Sequence, residues 1–476
     1  MKVFQLDLRS LALLRVSLGF LVLLDTLLRA RDLEAFYTDN GLLPRADLVE
    51  RPWGDPWLCL HLGAGGVVGQ AVLFLLTAFC AVQLMRGWRT RLMIFACWLS
   101  LNSLYQRNPL VNDRGDLELI LVLFWSFFLP LGARWSADAR RHGSPAEPAC
   151  TSLASAALVL QFAQIYLFAA LLKNGLPWLR GDALLLSCRS ALFCTPLSQK
   201  LAEYPELLQA LTHPVIALEL LIPCLLLFPW ANGPIRSLGV LLLVVFHGLV
   251  AALFQLGLFP LIGGLLPIGL LPTWFWEGPG RGLDRRLSAW LVAPTSTART
   301  LPRWQSLLVG ISLLYTIACN LFQVSEPSPR HIPPGLRDFG RVLRLEQHWD
   351  LFSPLPPYDG WFILKGETPD GPLDLLRDRP LEVSRPADPS AIFPNHRWRM
   401  LMISLLFPPG EPFRGNFASY QAGLWKARHP GSNLGRIQFL FVVQLVDDQG
   451  NQQDPSTWIL WDSGSQNLSV PNTTKS

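Results

Sequence analysis

Four places in the 476-residue chain set ionisable side chains inside or beside apolar sequence. Ionisable residues within membrane spans are costly and commonly functional. Lys173 closes the run LQFAQIYLFAALLKNG. A lysine at a helix C-terminus suits the macrodipole and can snorkel to an interface, and Asn174-Gly175 is a good helix stop. Held in a poorly hydrated pocket instead, its amine is a usable base. Tyr166 stands seven residues earlier, on the same helix face, where it can hydrogen-bond a ligand or orient the amine. Glu219, in ALELLIP, either serves structure, by pairing with an arginine or capping a polar helix contact, or serves function, by holding a cation or tuning a neighbour. His247, in LLLVVFHGLVAALF, is an interhelical hydrogen-bonder or a catalyst, and on the helix after Glu219 it can meet that carboxylate. The fourth place is the polar element NPLVNDRGD, Asn108–Asp116, which is an interfacial loop or the floor of an aqueous cavity. Arg15 and Asp25 raise a related question. Ten residues apart, they do not share a helix face, so each needs a partner from another element.

The elements that must position these residues are apolar runs. Half of the chain is hydrophobic and 16% is charged, against about a quarter charged in soluble domains. A spanning helix needs about 20 largely apolar residues. Candidates are Leu8–Leu28, Gly65–Met85, Leu92–Tyr105, Leu117–Leu131, Leu153–Leu172, Pro214–Trp230, Leu238–Leu256, Leu258–Trp276 and Leu307–Val324. The third and fourth are short, which suggests tilted or partly re-entrant segments. The eighth, rich in Pro and Gly, reads as a broken helix. The fold class expected is an α-helical polytopic membrane bundle of about eight to nine spans, residues 1–325, followed by a small soluble β-rich C-terminal domain, residues 326–463, and a disordered tail, 464–476. In that domain Gly360–Gly366, Arg399–Leu406 and Ile437–Val446 read as strands, separated by turn residues such as Thr368–Gly371 and Asp447–Gly450, with a helix over Phe413–Lys426. The linker SEPSPRHIPPG precedes it.

Short-loop arginines set the orientation. With a cytoplasmic N-terminus, Arg86, Arg89, Arg91, Arg134, Arg140, Arg141, Arg236, Arg281, Arg285, Arg286 and Arg303 fall inside. A multi-pass protein of the plasma (inner) membrane, with its C-terminal domain on the outer side, follows as the expectation. The net charge of +5 is too small for this length to imply nucleic acid as a partner. None of the eight cysteines forms a CxxC pair. Most read as small buried hydrophobes, with Cys188 and Cys194 as the one plausible disulfide. The sequence has no HExxH, GxSxG, phosphate loop or metal-ligand spacing, and His331, His348, His396 and His429 are scattered, so no metal is expected.

Several of these segments together resemble the family of horizontally transferred transmembrane (HTTM) domain proteins, which includes the vitamin K-dependent gamma-carboxylase. Arg15 and Asp25 match the family's Arg and Asp ten apart. FYTDNGLLPR, and NDRGD followed by a span ending in FLPLG, are similar to further family elements. Gln161, Tyr166, Lys173, Trp178 and Gly181 match the carboxylase's Gln, Tyr, Lys and Trp-x-x-Gly run. Glu219 falls where it has an Asp. His247, Phe254, Gly257 and Phe259 match its Phe-His run, and HWDLFSP resembles a Trp-Asp element after the last span. The resemblance implies that Lys173 is a base that deprotonates a reduced, vitamin K-like quinone, with Tyr166 and His247 as further catalytic residues and Gln161, Trp178 and Glu219 around the cofactor. It implies membrane lipid, a quinol and a protein substrate on the outer side as partners. The chain departs from the carboxylase at Asn112-Asp113-Arg114, where that enzyme has Asn-Asn-His, at Val250, where it has Asn, and in its much smaller soluble domain. Two functions stay open: a lyase- or oxygenase-like membrane enzyme acting on a quinol, and a non-catalytic membrane protein binding a lipid or partner protein through its bundle and external domain.

Overall fold

A computed structural model describes residues 2–50, 58–142, 148–190, 192–290, 302–325, 333–353, 355, 358–445 and 454–464. Most of the expected linker, the turn at Asp447–Gly450 and nearly all of the expected tail lie outside them.

The nine apolar stretches separate into two kinds. Among the described residues, six helices are long and apolar enough to cross a membrane: α1 (Leu8–Ala30), α2 (Val67–Arg86), α5 (Leu153–Leu171), α6 (Pro205–Leu227), α7 (Asn232–Leu253) and α9 (Arg303–Ser325). The other three stretches fall short for distinct reasons. α3 (Thr90–Arg107) carries Arg91, Asn102, Gln106 and Arg107. α4 (Arg114–Ser126) has 13 residues, about 20 Å of helix against a hydrocarbon core of about 30 Å. The eighth stretch is interrupted: α8 (Phe259–Leu265) passes into a 3-10 turn at Leu266–Leu270, and a short helix follows at Thr273–Glu277.

Local chemistry sets these limits. Asp113 and Asp116 form a reciprocal capping box at the start of α4, and Ser152 and Ser155 form another on α5, each satisfying amide groups that a helix start leaves unpaired. α2 ends on Gly87 at φ +69°, a left-handed conformation that favours glycine. Pro214 and Pro223 lie inside α6. Pro223 has no N–H to give the Glu219 carbonyl one turn earlier.

α5 is buried along most of its length, whereas α2, α6 and α7 leave long apolar faces uncovered. Leu75, Leu76, Leu241, Val245 and Leu249 are each half exposed or more, a belt suited to lipid. The bundle has two distinct ends. At one, Asp25 of α1, Tyr105 of α3 and Asp116 of α4 converge on Arg29. At the other, Arg9 and Arg134 share Asp284, and Arg15 donates to the carbonyls of Leu131, Arg134 and Trp135.

The C-terminal region forms a five-stranded antiparallel sheet of β1 (Tyr358–Thr368), β2 (Gly371–Asp374), β3 (Arg379–Pro380), β4 (Ile437–Leu445) and β5 (Ser456–Asp462), in the order β3-β2-β1-β4-β5. One face packs Phe362, Phe439 and Phe441 against Phe417 of α11 (Arg414–Arg428). The strand expected at Arg399–Leu406 is instead part of α10 (His396–Leu406). Asn395 caps it, accepting from the Arg397 and Trp398 amides, and Trp398, Leu401, Met402 and Leu405 are buried at helical spacing. α10 docks on the Asp25 end of the bundle, where Ser404 donates to the Leu110 carbonyl at 2.8 Å. β2, β3 and β5 have no counterpart among the expected strands.

Candidate functional site

Lys173 sits just beyond α5 and is 6% exposed. It neither snorkels to a surface nor stands alone. Its Nζ donates to the Ala169 carbonyl at 3.1 Å and lies 2.9 and 2.8 Å from the two Glu219 carboxylate oxygens. The Trp178 ring covers it at 5.2 Å, a cation–π distance. Trp178 Nε1 donates to the Phe352 carbonyl at 2.8 Å, and Ser353 Oγ to the Leu172 carbonyl at 2.7 Å, so the segment after α9 closes over this end of α5.

Tyr166 and His247 form the second pair, with hydroxyl and Nε2 2.8 Å apart. Both are buried. The hydroxyl therefore turns to the imidazole rather than to the Lys173 amine, and Glu219 and His247 find separate partners. His247 also packs edge-on against Phe246 and Phe259. Gly263 makes its space, since a Cβ there would lie 2.1 Å from the His247 Cε1.

Gln161 stands apart from these pairs. Its Oε1 accepts from Trp125 Nε1 at 3.0 Å, and its amide bonds Gln347, whose Oε1 also takes the Trp349 Nε1 proton. This is an amide lock between α5 and the segment after α9.

The polar element beside α4 reaches further than the sequence suggests. Asp25, Asp113 and Asp116 surround Arg397 of α10 at 2.8, 3.2 and 2.6 Å. Arg29 joins Asp25 and Asp116 at 2.9 and 2.8 Å, and His396 Nε2 lies 2.8 Å from Asp113. Burial alone would raise the Asp113 carboxyl, but Arg397 and His396 outweigh it and hold it well below the usual carboxylate range. Asp25 thus pairs both with Arg29 one turn along its own helix and with Arg397 of another element, while Arg15 finds backbone carbonyls rather than an acid.

Sequence reasoning missed Arg397, which lies two residues before the segment read as a strand, at the start of what is α10. It also missed Glu118, which is fully buried with neither oxygen hydrogen-bonded among the described residues. The signal was present, because Glu118 lies one residue inside the fourth apolar stretch. All eight cysteines are free. Cys194 points its thiol at the Ser187 and Cys188 carbonyls, which replaces the expected Cys188–Cys194 disulfide. No group of three or more His, Cys, Asp and Glu side chains is placed to hold a metal among the described residues.

A cavity of about 650 Å³ opens between the bundle and the C-terminal domain. Leu186, Phe193, Phe259, Met400 and Ile403 supply apolar wall, and Asp113, Arg114, Asp350 and His396 lie on it. Burial would raise the Asp350 carboxyl, but the His348 hydrogen bond and Arg114 bring it down to about 2. Lys173, Tyr166, Glu219 and His247 are not on this wall. Phe352, which lines the cavity, and Trp178, bonded to it, stand between the cavity and Lys173.

The family model described as HTTM domain matches residues 5–274. No curated protein and no solved structure matches the chain.

Proposed function

Because the chain belongs to the HTTM family, a multi-pass membrane protein by its apolar helices, we propose that it carries out proton-transfer chemistry on a lipid-soluble quinol. The observation that supports this most is the buried Lys173–Glu219 pair beneath the Trp178 ring. In a poorly hydrated site, moving one proton 2.8 Å from Nζ to Glu219 leaves a neutral amine and a neutral acid, and both escape the desolvation cost of charge. The neutral amine is then a base for a quinol hydroxyl. Trp178 offers an aromatic face for a ring. Leu176 and Leu179, 63% and 65% exposed, share a short helix with Trp178 and offer a bilayer-dissolved ligand an apolar approach. Tyr166 and His247 form a second proton-bearing pair on the neighbouring turns.

The test is epoxide formation from reduced vitamin K and oxygen by purified protein in lipid discs. Lys173→Ala should abolish product, and Glu219→Gln should shift the pH dependence of the rate. Equal product from wild type and Lys173→Ala removes the catalytic role.

The completeness of the ion pair, and its separation from the junction cavity, favour a second reading. In it the pair is a helix–helix fastener, and the protein binds a lipid or partner without catalysis. Replacing a buried pair with apolar residues of like volume is often neutral or stabilising. A Lys173→Met, Glu219→Leu double variant that keeps both stability and biological function would select this reading.

A further inference from the structure

The junction cavity is independent of the chemistry proposed for Lys173, which Trp178 and Phe352 separate from it. Two distant parts of the chain build it: Leu186, Phe193 and Phe259 face Met400, Ile403 and Phe441. Its volume of about 650 Å³ falls within the roughly 300–1,000 Å³ of pockets that enclose drug-sized ligands, whose walls are likewise apolar with a few polar groups.

Charge on the wall is unevenly matched. Asp113 has Arg397 and His396, Asp350 has Arg114 and His348, and Asp359 has Arg385. Every carboxylate of the lining is thus engaged by a cation. Arg189, also on the wall, is exposed and has no carboxylate partner among the described residues. A ligand that completes this surface brings an anion to Arg189 and hydrocarbon to the rest. Guanidinium matches carboxylate and phosphate oxygens in a two-pronged fork.

We propose that this cavity binds a single-chain anionic amphiphile, with its chain between α8 and α10 and its acidic head on Arg189. The bilayer beside the bundle supplies such molecules, and the cavity is of a size for one chain.

The full-length protein in a neutral maltoside detergent is titrated with the fluorescent fatty acid cis-parinarate, which is then displaced by oleate, oleoyl lysophosphatidate or oleyl alcohol. Displacement by oleate alone assigns a carboxylate head, by lysophosphatidate alone a phosphate head, and by both a general anion site. Arg189→Ala should weaken the anions by about tenfold, the worth of one hydrogen-bonded charge, and leave oleyl alcohol unchanged. Ile403→Trp should fill the cavity and weaken all three ligands by tenfold or more. Leu186→Trp fills it from the bundle side, should Ile403→Trp fail to fold. Both variants should retain Lys173-dependent quinol turnover, so loss of either function is read separately. Parinarate binding equal in wild type and the filled variants, or oleyl alcohol competing as well as both anions in wild type, overturns the proposal.

Discussion

Truncating Arg397 to alanine is the sharpest test of how the two halves of the chain hold together. Its guanidinium reaches Asp116 at 2.6 and 2.8 Å, Asp25 at 2.8 Å, Asp113 at 3.2 Å and the Val111 carbonyl at 3.1 Å. Asp25 and Asp116 are 1% and 2% exposed. Without Arg397 these buried carboxylates keep Arg29, and Asp113 keeps His396. Removing one partner from a buried ionic cluster costs roughly 3–5 kcal/mol, because the charges left behind stay desolvated. An exposed pair such as Arg428–Asp378, at 3.4 Å, contributes about 0–1 kcal/mol. Arg397→Ala should therefore lower the thermal midpoint of the detergent-solubilised protein far more than Arg428→Ala. It should also expose α10 and the Asn108–Asp116 element to hydrogen exchange. Adding Asp116→Asn to Arg397→Ala should recover part of the loss, since it removes one uncompensated charge. Equal midpoints for Arg397→Ala and Arg428→Ala, with unchanged exchange at α10, would refute the reasoning.

Other outcomes follow from single side chains. Gly263→Ala places a Cβ 2.1 Å from the His247 ring. It should cost about 1–3 kcal/mol by overpacking, and the Tyr166–His247 hydrogen bond should disappear from the imidazole NMR spectrum. Gly257 has φ +60° and would set a Cβ 2.4 Å from His396 Cδ2. Gly257→Ala should destabilise more than Gly248→Ala, where the space is open, as read by thermal melting. His61 lies in a short turn before α2, its Nδ1 2.6 Å from the Gln70 side-chain Oε1. Burial pushes its pKa down to about 4. The folded protein thus holds His61 neutral where the unfolded chain, with a pKa of about 6.5, binds a proton. Its contribution is full above about 6.5 and is lost as pH falls towards 4. Melting midpoints should fall across that window, and His61→Gln should flatten the fall.

How far the sequence spoke depended on whether a residue's partner was local. The run FPLIGGLLPIGLLPTWFW carried its own interruption in Pro and Gly, and the structure breaks it there. Phe413–Lys426 and Ile437–Val446 carried their periods, and α11 and β4 follow them. The stretch RMLMISLL was ambiguous, because a short apolar run fits strand or buried helix alike. Asn395 and the burial of Trp398, Leu401, Met402 and Leu405 decide for a helix. The requirement that Arg15 and Asp25 each find a partner elsewhere was readable from helix geometry. Which partner was not, since Arg397 lies 372 positions from Asp25 and Arg15 is met by carbonyls that any sequence has. Lys173, Tyr166, Glu219 and His247 were all picked out as intramembrane polar groups. Their pairing into Lys173–Glu219 and Tyr166–His247 depends on how α5, α6 and α7 are turned against one another, which no local pattern encodes.

The Asp25–Arg397 contact also imposes an order in time. A ribosome adding about 5–20 residues per second delivers Arg397 roughly 20–75 s after Asp25. Asp113 and Asp116 follow Asp25 within roughly the first quarter of that interval, and for the rest of it Arg29 is the basic member of the cluster at hand. The nascent bundle must wait in a half-neutralised state until α10 emerges. A chain stopped after α9 would be held in that waiting state, exposed to quality-control proteases before it could settle.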